Sequence, residues 1–110
     1  MRAWRNALRI SGPSADREAN LAEALMGIAN GIVTEEAKAA FDRALTHDGK
    51  HSKARFFLGV AAYQDGKVDE AAAIWRGMLS DARPDSPWSP MVRQALAEVE
   101  KTRQIGRAHV

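Results

Sequence analysis

The sequence predicts an all-α protein made of stacked antiparallel helix pairs, and three observations predict it. Turn signals cut the 110 residues into segments of helical length. Inside those segments apolar residues recur at three- and four-residue spacing, with no strand-like alternation. One short phrase, an aromatic that leads through polar and small residues to Leu, is written three times: Trp4-Arg5-Asn6-Ala7-Leu8, Phe41-Asp42-Arg43-Ala44-Leu45 and Trp75-Arg76-Gly77-Met78-Leu79.

The elements follow in order. Residues 2–10 form a short first segment with Trp4, Ala7 and Leu8 on one face. Ser11-Gly12-Pro13-Ser14 breaks it, and Ser14 is a candidate N-cap for a helix over 15–29 that carries Ala19, Ala22, Leu25, Met26 and Ala29. After Asn30-Gly31, Thr34 opens the next helix. Glu35 and Glu36 sit in its first turn, where carboxylates suit the positive end of the helix dipole, and Ala37, Ala40, Phe41, Ala44 and Leu45 form its inward stripe. Asp48-Gly49-Lys50 ends that helix, and Ser52 is the candidate cap of a fourth that carries Phe56, Phe57, Leu58, Val60, Ala61 and Ala62. Asp65-Gly66 leads to a fifth, from about Val68 to Ser80, with Ala71, Ile74, Trp75, Met78 and Leu79 inward. After Arg83-Pro84-Asp85-Ser86-Pro87, Pro90 suits the first turn of a last helix that carries Val92, Leu96 and Val99 and runs over 89–103. Residues 105–110 fit no helix stripe and read as a non-native tail.

Two of the three phrases share a strict offset. Glu36-Ala37 falls on Glu70-Ala71, Phe41 on Trp75, Ala44 on Met78 and Leu45 on Leu79, each 34 positions later. The turn glycines Gly31 and Gly66 are 35 apart, so the spacing implies a slip of one residue at that turn. Thirty-four is the period of the tetratricopeptide repeat, a helical pair that buries its face only by stacking on its neighbours. Leu58-Gly59, Gly66, Ala71 and Trp75 resemble that repeat's position pattern, and Pro84 follows near the repeat end. Arg55, Met78 and Ala24-Leu25 depart from it. The resemblance implies a right-handed superhelix of antiparallel helix pairs with a C-terminal capping helix. The units are a half repeat at 2–10, repeats at 15–46 and 52–80, and a cap at 89–103, all in one domain over 1–104. An ordinary capping helix is the other reading of 2–10.

Longer stretches resemble one family in particular. They are Gly31-Ile32-Val33-Thr34-Glu35-Glu36-Ala37, Ala54-Arg55-Phe56-Phe57-Leu58-Gly59 and Pro87-Trp88-Ser89-Pro90-Met91-Val92. With the repeated phrases around them, they resemble the tetratricopeptide domain of the CcmI/CycH family of c-type cytochrome biogenesis proteins, over roughly residues 2–100. That resemblance implies a non-enzymatic protein-binding domain on the periplasmic face of the bacterial inner membrane. It also implies that the domain holds apocytochrome c, chiefly by its C-terminal helix, for the haem ligation machinery. A tetratricopeptide scaffold for another protein partner is the alternative, and an accessory domain of an enzyme is a third reading.

Composition narrows the function classes. A formal charge of +2, with Lys and Arg scattered among acids, gives no nucleic-acid footprint. The absence of Cys excludes disulfides, Cys-based zinc sites and thiol nucleophiles. His47 and His51 flank a turn rather than share a helix face, so no metal site is expected, and no cofactor motif is present. Residues 56–63, the longest near-apolar run, are far short of the ~20 that span a membrane, and no signal peptide is expected at Met1-Arg2-Ala3-Trp4-Arg5. In tetratricopeptide arrays the first helix of each pair lines the concave groove. By position in the pattern the groove candidates are Lys53, Phe56, Val60, Tyr63 and Gln64 in the second repeat, and Met26 and Asn30, with Ala19 and Ala22, in the first. Their apolar members suit the apolar face of an amphipathic helix. The competing reading places Phe56 and Val60 against the closing helix. Trp88, between two prolines, is expected to cover the end of the second repeat, and Trp4 to lie on an N-terminal edge through which the chain self-associates.

Overall fold

A computed structural model describes residues 12–83 and 85–108, with side chains described over 14–83 and 85–103. Five helices follow one another: α1 Gly12–Ile28, α2 Glu35–His47, α3 Ser52–Gln64, α4 Val68–Asp81 and α5 Ser89–Ala108. Each packs on the next in sequence, giving the stacked pairs α1–α2 and α3–α4 with α5 laid on α4. The all-α tetratricopeptide-like fold expected from the periodicity is the fold observed. The phrase at 4–8, the half repeat at 2–10 and the Trp4 edge lie outside the described residues.

Local chemistry sets the helix ends, and three of them differ from the sequence reading. Thr34 caps α2 as expected: its Oγ1 accepts from Ala37 N at 3.2 Å. α3 is capped by His51, not Ser52, because the imidazole Nδ1 reaches Ala54 N at 3.3 Å. α1 starts at Gly12, ahead of Ser14, with Pro13 in the first turn, where its missing N–H costs nothing. α5 continues to Ala108, past the expected end at 103 and through residues read as non-helical. Gln104, Arg107 and Ala108 are all good helix formers, and backbone hydrogen bonding continues a helix without an apolar stripe.

The core is one aromatic thread through two clusters. In the first, Ala19, Ala22 and Met26 of α1 pack with Ala37, Ala40, Phe41 and Ala44 of α2 and Ala54 of α3. In the second, Trp75 and Met78 of α4 pack with Phe56 of α3 and Val92 and Val99 of α5. Phe57 joins them, stacked on Phe41 at 5.4 Å and set edge-on to Phe56 at 5.2 Å. Phe56 in turn meets Trp75 at 5.9 Å and Trp88 at 5.6 Å. Trp88 therefore covers the end of the second pair as the proline bracket implied, while Arg93, Glu98 and Lys101 of α5 face solvent.

Gly59 allows the closest approach. A Cβ there would lie 2.6 Å from Trp75 Cε2, so only Gly lets the nitrogen edge of the indole reach α3 and donate its Nε1 proton to Phe56 O at 3.2 Å. Without that bond a buried indole N–H would go unpaired, at a cost of about 1–3 kcal/mol. Arg55, where the repeat pattern favours Trp, lies over Gly77 and pairs with Asp81 Oδ2 at 3.1 Å.

Candidate functional site

The two helix pairs close differently, and that difference decides which residues face out. α3 ends on Gly66, at φ 82°, with Lys67 N bonded to Ala62 O at 2.8 Å. α1 ends in the same hydrogen-bonded loop, with Gly31 N bonded to Met26 O at 2.7 Å. The residue that takes the place of Gly66 there is Asn30, at φ 58°, not Gly31. Asn tolerates this left-handed conformation better than other side chains. Asn30 and Gly66 are 36 positions apart, whereas Phe41 and Trp75 are 34 apart, so the first turn carries two extra residues, not one. Each residue of slip turns a helix face by about 100°. The groove positions read on α1 at an offset of 34 are therefore rotated out of the groove.

The burial of α1 bears this out. Ala19 and Ala22 are fully buried and Met26 is 7% exposed, all in the core against α2. Met26 is thus a core residue rather than a groove residue, and Asn30 is an exposed turn residue held by its backbone. On α3, Phe56 is buried among Phe57, Trp75 and Trp88, so the competing reading applies to it: its ring packs the core.

The other candidates sit where neighbouring pairs meet. Lys53 Nζ crosses from α3 to α1 and donates to Glu23 Oε1 at 2.9 Å and Asn20 Oδ1 at 3.2 Å. His51 also crosses: its Nδ1 accepts from Ala54 N, so in the neutral ring Nε2 carries the proton and donates to Asp16 Oδ1 at 2.6 Å. Gln64 is exposed and its Oε1 accepts from Val33 N at 3.0 Å. Tyr63 lies half-buried by Trp75, its hydroxyl 2.9 Å from Thr102 Oγ1 on α5. Val60 is half-buried, packed on the second cluster.

A row of polar bridges thus runs across α1, α3 and α5. Lys53, Val60, Tyr63 and Gln64 come together on α3, and Asn20, Glu23 and Thr102 join them from its neighbours. The sequence reading missed these three. Aligning Asn30 with Gly66 gives an offset of 36, which carries the position of Phe56 onto Asn20; no comparable signal marks Glu23. The bridges are solvent-exposed, so each is worth at most about 1 kcal/mol. They are cheap to rearrange. Among the described residues no three acidic or His side chains cluster as metal ligands, and no helix is long and apolar enough to cross a membrane.

Comparison with known proteins agrees with the fold. The family model for the tetratricopeptide repeat matches residues 34–87. The chain is 46% identical over 99 residues to "Cytochrome c-type biogenesis protein CycH" of Bradyrhizobium diazoefficiens, a match that covers 90% of this chain and 27% of the relative. It is 37% identical over 97 residues to the protein of the same name from Rhizobium meliloti, covering 88% of this chain and 26% of that one. The chain therefore spans about a quarter of the length of these curated relatives. No solved structure matches it.

Proposed function

This chain belongs to the tetratricopeptide-repeat family, with the CycH-type cytochrome c biogenesis proteins, and from that premise we propose that it is a non-catalytic module that holds apocytochrome c by its C-terminal helix for haem ligation. The corresponding place for the whole protein is the periplasmic face of the inner membrane.

The observation that carries this reading is the row across α1, α3 and α5. Val60 and the ring of Tyr63 offer apolar contact, flanked by Lys53 with Asn20 and Glu23 on one side and by Gln64 on the other. An amphipathic helix laid along α3 would set its apolar side on Val60 and Tyr63. Its polar edge would exchange partners with Lys53 and Gln64, whose present bonds are exposed and weak.

The test is binding of a labelled peptide with the sequence of an apocytochrome C-terminal helix, followed by fluorescence anisotropy. Micromolar or tighter affinity is expected, with Val60→Asp abolishing it and Lys53→Glu weakening it about tenfold. The folded, haem-loaded cytochrome is expected to bind more weakly. Equal affinity for the two forms, or none for the peptide, would overturn the assignment and favour a repeat scaffold for another protein.

A further inference from the structure

A separate cleft opens at the end of the second pair, away from the row of bridges. Its volume is about 480 Å³, within the size range of small-molecule sites. It exists because the α4–α5 connection is long. Residues 82–88 join those helices, whereas 48–51 suffice between α2 and α3. From the longer connection Ala82, Arg83, Asp85, Ser86, Pro87 and Trp88 line the cleft.

Met78, Trp88 and Val92 line the cleft with apolar surface. Met78 and Val92 are core residues, 5% and 1% exposed, so most of the open apolar surface comes from the half-buried Leu79 and Trp88. The lining also carries Arg55 and Asp81, which neutralise each other at 3.1 Å. Lys50 and Arg83 lie on the rim from two different loops, and no described carboxylate pairs with either. Asp85 is the only other acidic group in the lining. Apolar surface from Leu79 and Trp88 with two cations in the same lining fits an apolar body bearing one negative charge. Asp85 disfavours a second.

We propose that this cleft binds an organic monocarboxylate with a bulky apolar body. The carboxylate meets Lys50 and Arg83 and the apolar part lies on Leu79 and the Trp88 ring. A small acid or a peptide chain end would supply the same chemistry.

The experiment titrates the 110-residue chain with N-acetyl-L-leucine, its neutral amide and octanoate, read by amide and indole resonances. Shifts centred on Arg83, Ser86, Trp88 and Val92 are expected, with the acid bound about tenfold more tightly than the amide. Tighter binding of N-acetyl-leucine than of octanoate assigns the cleft to chain ends, and the reverse order to free acids. The double variant Lys50→Ala, Arg83→Ala is expected to keep its melting temperature, since both side chains are exposed, and to lose the acid–amide difference. Equal affinity for acid and amide, shifts mapping elsewhere, or a difference that survives in the double variant would overturn the proposal.

Discussion

Helices α1 and α3 open successive pairs of the same solenoid, yet they are buried differently. α3 is covered on two faces. Ala54, Phe57, Leu58 and Ala61 turn toward α2, and Phe56, Gly59 and Ala62 toward α4, so almost every apolar residue on it is at least half-buried. α1 has three distinct faces. Ala15, Ala19, Ala22 and Met26 enter the core, Asp16, Asn20 and Glu23 meet α3, and Leu21, Ala24 and Ile28 are exposed. Leu21 is 47% and Ile28 82% exposed. The contrast shows that a repeat position has no fixed burial: the neighbours stacked on a helix decide which of its faces are interior.

Substitutions can break or sharpen that contrast. The largest effect is expected from Phe41→Ala, because this fully buried ring ties α3 to the first pair through Phe57. A loss of about 3–5 kcal/mol is expected in urea unfolding. An effect below 1 kcal/mol would mean that the two pairs are not coupled through this thread. Gly59→Ala comes next. The added methyl collides with the Trp75 indole and is expected to cost about 1–3 kcal/mol and to perturb Trp75 fluorescence.

The glycine on α1 is expected to respond with the opposite sign. Nothing lies within 4 Å of a Cβ built on Gly27, so Gly27→Ala is expected to stabilise by about 0.5–1 kcal/mol, seen as a raised melting temperature. A destabilisation there would place a close neighbour on α1's outer side. The smallest effect is expected for Ile28→Ser, within about 0.5 kcal/mol of the parent by thermal melting, since that side chain is largely in water already. A large loss would show that the exposed face of α1 is covered in solution.

Much of the fold could be read from residues that act locally. Thr34 with Glu35 and Glu36 announces α2, Pro90 announces α5, and the 34-residue spacing of Phe41 and Trp75 identifies the repeat. The site was less legible, and Asn30 shows why. A pattern search takes the glycine as the turn marker, but Asn30 and Gly31 both have positive φ, and the residue in the place of Gly66 is Asn30. An offset of 34 where the turn implies 36 puts Met26 in the place of Val60 and passes over Asn20. Phe56 failed for a different reason: its position in the repeat is right, but a large ring beside Trp75 and Trp88 is drawn into the core by the apolar area it buries.

The sequence by itself determined the helices, their order and the repeat, because caps, turns and apolar period act over a few residues and need no distant partner. Tertiary structure decided the facing of α1, the tilt of Trp75 onto Gly59 and the cleft beneath residues 82–88. Each of these depends on how far one helix is rotated or held from the next. A two-residue change in one turn is enough to alter that distance or angle while leaving every helix intact.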